Sequence, residues 1–250
     1  MASPLPEPPL SRLTVLISGS GTNLQAIINA CSSQLLPNTS IVRVVSNRKT
    51  AYGLKRAENA GIPTTYHNLL EYKKRFREAQ DTAPRPVDAV DEADTVARNA
   101  YDADLATLVL ADKPDLVVCA GWMHIFTNSF LAPLVSANLP AINIHPALPK
   151  EFDGANAIAR AYAAFQEGRI KRTGAMIHYV VRDVDRGEPI VVQEVEMKEG
   201  DTVESLEERI HVVEHELIVK GTGMALARLW EKRDVDKEKD EEANRPTTSL

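Results

Sequence analysis

The sequence has few features of secreted, membrane-bound or nucleic-acid-binding proteins. Its 250 residues include only two cysteines, Cys31 and Cys119, and no Cys-x-x-Cys pair, which excludes a disulfide framework and favours a reducing, cytoplasmic location. No apolar run approaches the roughly 20 residues of a membrane span, and the Pro-rich N-terminus lacks the apolar segment of a signal peptide. The net charge of -6 argues against a general nucleic-acid-binding protein. We therefore expect small-molecule substrates, without nucleic-acid or membrane partners.

Glycine-rich nucleotide motifs are present only in part. Residues 19–23 (GSGTN) join an apolar run to a helical pattern, but Leu24 stands where a dinucleotide-binding fingerprint needs its third glycine. A P-loop is excluded because no Gly-Lys-Ser/Thr follows. Backbone N–H groups at such a turn bind anions, so we interpret Gly21, Thr22 and Asn23 as a monophosphate site. The alternative is a tight turn without a ligand.

Alternating apolar runs and helical patterns predict an α/β fold: a single domain with a mostly parallel, doubly wound, Rossmann-like sheet and helices on both faces. Predicted strands lie at 13–18, 41–46, 62–66, 115–120, 141–144, 175–181 and 190–195. Predicted helices lie at 24–30, 53–60, 94–112, 155–166 and 203–230, with Asn23 and Asp94 as N-caps of the first and third.

The domain is expected to span residues 12–230. Within it, residues 68–93 are charged and contain two prolines, which indicates a partly helical surface excursion. We expect a disordered leader at 1–11, because it is rich in proline, and a disordered charged tail at 231–250.

Residues 143–146 (NIHP) are the most informative segment. They end a short apolar run, and ligands of open α/β sheets bind beyond the carboxyl ends of the strands. Residues i and i+2 of a strand point to the same face, so Asn143 and His145 are expected to face one crevice. An amide stabilises a developing oxyanion and an imidazole transfers a proton. The alternative is a purely structural pair.

An acidic loop between the last two predicted strands contains Asp183 and Asp185, followed by Gly187. A carboxylate close to His145 would raise the pKa of the imidazole and keep a proton available near neutral pH. The alternative is a solvated hairpin turn, for which Asp and Gly are ordinary residues.

Residues 211–215 (HVVEH) match the inverted zinc-protease pattern, in which two histidines one helical turn apart share a metal. A catalytic zinc site also needs a third protein ligand, and the following stretch offers only glutamates before the charged tail. We therefore expect no metal. The helix face is either solvated or turns a Glu and a His toward a polar substrate.

Together these segments resemble the glycinamide ribonucleotide formyltransferase family. The matching segments are residues 15–26, 51–54, 113–123, 143–146 and 184–189. The resemblance extends from about residue 12 to 230. Two features, the 68–93 excursion and the sequence VDRGEP of the last segment, are similar to those of the monofunctional fungal members.

The resemblance implies that a formyl group moves from 10-formyltetrahydrofolate, the cosubstrate, to the amine of 5'-phosphoribosylglycinamide in purine (IMP) synthesis. It implies that Asn143 and His145 stabilise the oxyanion and that Asp185 raises the pKa of His145. It assigns the ribonucleotide to Gly21, Thr22, Asn23, His211 and Glu214. It assigns the folate to Arg98, Met123, His124, Ile125, Phe126, Asn143, Val181, Arg182, Asp183, Val184 and Asp185. It implies no covalent enzyme intermediate.

Three departures concern the folate contacts. The loop after His145 is one residue shorter than the common bacterial form, Asn156 replaces a frequent histidine, and His124 replaces a basic or apolar residue. The rival functions are a formyltetrahydrofolate hydrolase and a non-catalytic nucleotide-binding regulator. A methionyl-tRNA formyltransferase would need a basic, RNA-binding C-terminal domain, which we do not expect here. We expect a monomer or a homodimer.

Overall fold

Apolar, β-branched runs form the strands of one sheet. The computed structural model describes residues 9–80 and 88–243, and within them seven strands follow the order β3-β2-β1-β4-β5-β6-β7. The strands are β1 (Ser11–Ile17), β2 (Thr39–Ser46), β3 (Thr64–Tyr66), β4 (Leu116–Cys119), β5 (Ala141–His145), β6 (Arg172–Tyr179) and β7 (Pro189–Glu196). Pairing is parallel from β3 to β5, whereas β6 pairs antiparallel with β5 and with β7. The predicted, mostly parallel α/β fold is confirmed.

Helices connect the strands and cover both faces of the sheet. They are α1 (Thr22–Ser32), α2 (Tyr52–Asn59), α3 (Leu69–Gln80), α4 (Asp88–Ala111), α5 (Asn128–Ser136), α6 (Ala157–Gln166) and α7 (Val203–Ala243). Throughout the described ranges, no helix combines the length and the apolar content that a membrane crossing requires.

The core forms because alternate residues of each strand point to opposite faces. Leu13, Val15 and Ile17 of β1 pack in one cluster with apolar residues of α1 and α7. Leu16 packs on the other face in a second cluster, with residues of α4 and α5. Burying both faces requires nearly continuous apolar strands, which is the pattern that the sequence shows.

Two helix predictions need correction. α4 begins at Asp88 rather than after an N-cap at Asp94. The Asp94 carboxylate instead accepts hydrogen bonds from Lys73 and Arg77 of α3, at 2.7 and 3.0 Å, and so joins the two helices of the 68–93 excursion. α5 was not predicted, because Pro133 interrupts its helical pattern. Residues 81–87 lie outside the described part of the chain.

The first strand and the last helix extend beyond the predicted domain bounds of 12 and 230. Ser11, assigned to the leader, is buried in β1, while residues 1–8 lie outside the described residues. The charged tail remains helical to Ala243, and 244–250 lie outside the described residues. Two contacts fix the helix where the tail starts. Trp230 Nε1 donates to Ser11 Oγ at 2.9 Å, and Arg233 Nη1 lies 2.6 Å from Asp115 Oδ1.

Candidate active site

A cavity of about 590 Å³ opens at the carboxyl ends of the central strands. β1, β4 and β5 each lead into a segment that lines it, as expected for an open α/β sheet. Every predicted site residue lines this cavity except Arg98 and Asp183. The structure thus brings together segments that are far apart in the sequence, from the turn at Gly21 to Glu214 on α7.

Four polar side chains form a cluster in the cavity. Asn143 and His145 point the same way from β5, and the antiparallel register places His178 of β6 opposite Asn143. The β6–β7 loop adds Asp185. Its Oδ2 lies 3.3 Å from His145 Nδ1, and its Oδ1 lies 3.4 Å from both Asn143 Nδ2 and His178 Nε2.

His178 orients Asn143. Its Nδ1 lies 2.9 Å from the carbonyl oxygen of Tyr179. Its Nε2 lies 3.2 Å from Asn143 Nδ2, so the two side chains are in hydrogen-bond contact. Asn143 Nδ2 also donates a hydrogen bond to Asp185 Oδ1 at 3.4 Å.

Burial and charge act in opposite directions on His145. The ring is 4% exposed, and this burial lowers the pKa of His145, while the nearby Asp185 carboxylate raises it and His178 lowers it. The net pKa of His145 lies below its ordinary value. Asp185 acts on the pKa of His145 in the predicted direction, and desolvation outweighs the carboxylate.

Asp185 itself is held in the ionised form. Burial favours its neutral form, but His178, His145 and the backbone N–H of Gly154, at 2.8 Å, favour the carboxylate. The pKa of Asp185 is consequently lowered. A carboxylate fixed beside Nδ1 of His145 keeps that nitrogen protonated and directs Nε2 of the neutral ring away from Asp185. Within the described residues, His145 Nε2 is buried and has no hydrogen-bond partner.

The predicted phosphate turn has the form of an anion site. Gly21, with a φ of 71°, precedes α1, and a Cβ atom there would lie 2.5 Å from the Cα of Gly53 on α2. Only glycine fits such a position. In the described residues α1 has no side-chain cap, so Asn23 is not the N-cap that its position predicted. The first backbone N–H groups of α1 are thus available to an anion at the cavity wall.

Asn23 instead hydrogen-bonds to Glu214 of α7. Burial raises the pKa of Glu214 to about 7, although the Asn23 hydrogen bond lowers it. His211 Nε2 lies 3.8 Å from Glu214 Oε2, and both residues line the cavity. Among the described residues, no group of three His, Cys, Asp or Glu side chains is arranged to hold a metal ion. The HVVEH segment presents His211 and Glu214 to the cavity.

The wall opposite the turn is apolar and aromatic. Met123 and Ile125 are 61% and 64% exposed at its rim, and Trp122 stacks on Phe126 with ring centroids 6.0 Å apart. Burial, together with nearby Arg98, lowers the pKa of His124 to about 4, so its ring is neutral near neutral pH.

Two predicted folate residues do not line the cavity. Arg98 contributes indirectly, because its Nη2 donates to the carbonyl oxygen of Ile125 and its Nε lies 3.3 Å from Asp102 Oδ1. Arg98 thus contacts the backbone of the cavity wall at Ile125 without lining the cavity itself. Asp183 is exposed in the β6–β7 loop, where its carbonyl oxygen accepts the N–H of Arg186 at 3.2 Å.

Sequence reasoning missed His178, Gly154 and Arg48, all of which line the cavity. A histidine inside the apolar run 175–181 was a usable signal for the first, because a buried polar side chain needs a partner. No local pattern marked Gly154 or Arg48.

The chain is similar to several known proteins over most of its length. The chain is 47% identical over 212 residues to phosphoribosylglycinamide formyltransferase of Schizosaccharomyces pombe, covering 84% of this chain and 95% of the relative. It is 43% identical over 224 residues to the Saccharomyces cerevisiae protein of the same name, covering 88% and 99%. Among solved structures, glycinamide ribonucleotide transformylase 1 from Symbiobacterium toebii superimposes with a TM-score of 0.69 at 33% identity, covering 87% and 88%.

A family profile described as formyl transferase matches residues 11–222. This match covers most of the chain and includes the Gly21 turn, the β5 pair and the β6–β7 loop. The resemblance that the sequence motifs indicated is confirmed, and the chain belongs to the formyl transferase family.

Proposed function

We propose that the protein transfers the formyl group of 10-formyltetrahydrofolate to the primary amine of 5'-phosphoribosylglycinamide, a step of purine (IMP) synthesis. The observation that carries this proposal is one cavity containing both the Asn143–His145–His178–Asp185 cluster and the Gly21 anion turn. The cluster suits acyl transfer, and the turn suits a phosphorylated acceptor. The names of the fungal relatives support the same substrates.

Positioning is the first contribution of the residues. The Gly21–Asn23 turn holds the phosphate, and Glu214 with His211 binds the ribose end of the acceptor. The aromatic wall from Met123 to Phe126 and the loop from Val181 to Asp185 hold the formyl donor. Two substrates fixed side by side react as one molecule, which lowers the barrier without a covalent enzyme intermediate.

The protonation states suggest how the protons move. His145 begins neutral because burial lowers its pKa, and Asp185 keeps Nδ1 protonated. Nε2 therefore accepts the proton that the attacking amine releases. The resulting imidazolium, stabilised by Asp185, returns this proton to the departing folate nitrogen, while the amide group of Asn143 stabilises the charge on the formyl oxygen.

A spectrophotometric assay tests the proposal. The protein is mixed with a 10-formylfolate donor and the ribonucleotide, and deformylated folate is followed. We expect turnover that requires the ribonucleotide and falls at least about 100-fold in His145→Ala, because proton transfer is lost. Turnover without the ribonucleotide would indicate the hydrolase, and no turnover with either acceptor would indicate a binding protein.

The proposal places the reaction in the cytoplasm, with the chain as a monomer or a homodimer. Both cysteines, Cys31 and Cys119, are free thiols, which suits a reducing compartment. The proposal requires only small molecules as partners and no metal.

A further inference from the structure

A strained loop lies against the catalytic cluster. Residues 150–156, which we call the 150–156 loop, include three non-glycine residues with left-handed backbone conformations: Lys150, Phe152 and Asn156, at φ values of 69°, 50° and 57°. Asp185, which the loop contacts, also has a positive φ of 56°. Such conformations are rare outside glycine and persist only where surrounding contacts hold them.

The position of this loop determines the geometry of two catalytic side chains. The N–H of Gly154 donates to Asp185 Oδ2 at 2.8 Å, and this is the same oxygen that lies 3.3 Å from His145 Nδ1. The carbonyl group of Phe152 additionally favours the protonated form of His145. A shift of the loop would therefore move or release the carboxylate that faces His145.

Two arginines hold the loop. Arg160 of α6 donates through Nη2 to the carbonyl oxygens of Phe152 and Asp153, at 2.5 and 2.6 Å. Arg186 Nη2 lies 2.5 Å from Asp153 Oδ2, and this contact links the 150–156 loop to the β6–β7 loop. Asp153 immediately precedes Gly154 and Arg186 immediately follows Asp185. The ion pair therefore joins the same two loops as the Gly154–Asp185 hydrogen bond, through the residue next to each partner.

We propose that Asp153 and Arg186 are positioning residues whose ion pair keeps the Asp185 carboxylate against His145. The proposal rests on the function proposed above. A partly exposed ion pair contributes little to overall stability. Its contribution here is to restrict two strained loops relative to each other, at the place where a small displacement affects catalysis.

The first test compares Arg186→Ala with Arg169→Ala. Arg169 is a matched control, because it forms an ion pair of the same length, 2.5 Å, with Glu167, outside the cavity lining. We expect Arg186→Ala to lower kcat at least about 10-fold with little change in either KM, because misplacement affects the reacting geometry more than binding. Arg169→Ala should leave kcat unchanged. A rise in KM at constant kcat would overturn the proposal, since Arg186 would then bind substrate.

The second test measures the pKa of His145 by NMR and does not depend on turnover. The ionisable groups facing His145 are Asp185, His178 and Asp153. Simple removal of the Arg186 cation would raise the pKa of His145, whereas release of Asp185 would lower it. We expect a lower pKa in Arg186→Ala and no change in Arg169→Ala. A raised or unchanged pKa overturns the proposal, even if the wild type proves to have another activity.

Reversal of the pair completes the test. Asp153→Lys combined with Arg186→Glu should recover most of the kcat that Arg186→Ala loses. Failure of the reversed pair to recover kcat would overturn a role for the ion pair as such. If Arg186→Ala does not fold, Asp153→Asn removes the charge while retaining the side-chain shape, and the same outcomes for kcat and KM apply to it; the pKa of His145 is not a readout for this variant, because loss of the Asp153 carboxylate by itself lowers that pKa.

Discussion

Two buried carboxylates in the same cavity carry opposite electrostatic shifts. The side chains of Asp185 and Glu214 are equally exposed, at 8%. Yet the pKa of Asp185 is lowered, and burial raises the pKa of Glu214 to about 7. Two histidines and a backbone N–H lie around Asp185 and lower its pKa. For Glu214, the hydrogen bond with the Asn23 side chain lowers the pKa, but burial raises it by more. The depth of burial and the number and charge of the partners together decide which carboxylate stays ionised.

The difference fits the two proposed roles. An ionised Asp185 stabilises the imidazolium that forms on His145 during proton transfer. A Glu214 that titrates near neutral pH presents both a donor and an acceptor to the hydroxyl groups of a ribose.

The largest effect is expected when Asp185 loses its charge. Asp185→Asn should lower kcat by about 100-fold or more, because the imidazolium loses its counter-charge. It should also lower the pKa of His145, so that the acidic limb of the pH–rate profile moves to lower pH. The pH dependence of kcat/KM checks this expectation. An unchanged profile would falsify the coupling between Asp185 and His145.

The opposite pKa shifts of Glu214 and Asp185 should change the free energy of unfolding in opposite directions as the pH rises. Glu214 has an ordinary pKa of 4.5 when unfolded and about 7 when folded, so its contribution to the free energy of unfolding decreases by on the order of 3 kcal/mol as pH rises through this window. Asp185, with a lowered pKa, loses its contribution only as pH falls below its ordinary value of 3.8.

Denaturant unfolding at pH 5 and pH 8 measures the Glu214 contribution. The wild type should lose stability between these values, and Glu214→Gln should lose much less. Glu216→Gln, on an exposed position of the same helix, is the matched control and should behave as the wild type. Equal pH dependence in all three proteins would contradict the raised pKa of Glu214.

The sequence predicts part of the catalytic cluster, and the structure is needed for the rest. Asn143 and His145 follow from spacing, because an i, i+2 pair at the end of an apolar run faces one crevice. The presence of Asp185 near His145 follows only from the family resemblance. The net direction of the His145 shift does not follow at all, because it depends on burial and on His178.

His178 shows why other site residues cannot be predicted from the sequence. Its position opposite Asn143 depends on β6 joining β5 antiparallel, in a register that no local pattern specifies. The length of α7 cannot be predicted either, because it also depends on contacts between residues far apart in the sequence. Trp230 and Arg233 contact Ser11 and Asp115, more than 100 residues away, while the local charge pattern alone indicates disorder.

A smaller effect is expected on substrate affinity. Glu214→Gln should raise KM for the ribonucleotide about 10-fold, since a charge-assisted hydrogen bond is lost, and should leave KM for the folate unchanged. The difference from the wild type should be larger above pH 7, where Glu214 is ionised. Steady-state kinetics with each substrate varied in turn gives both constants. A matching rise in the folate KM would mean that Glu214 supports the whole cavity rather than the ribonucleotide end.

The smallest effect concerns the far end of α7, the helix that carries Glu214. Trp230→Phe keeps one aromatic ring but removes the second ring of the indole and the hydrogen bond to Ser11, and we expect a loss of at least about 1 kcal/mol in the free energy of unfolding. Lys237→Ala, with a fully solvated ion pair to Asp234, is the control and should have no effect. If α7 moves as a rigid body, the Trp230 contact also sets the position of Glu214, and KM for the ribonucleotide rises with the loss of stability. An unchanged KM would show instead that Asn23 and the core residues around Leu217 hold Glu214 independently of the helix end.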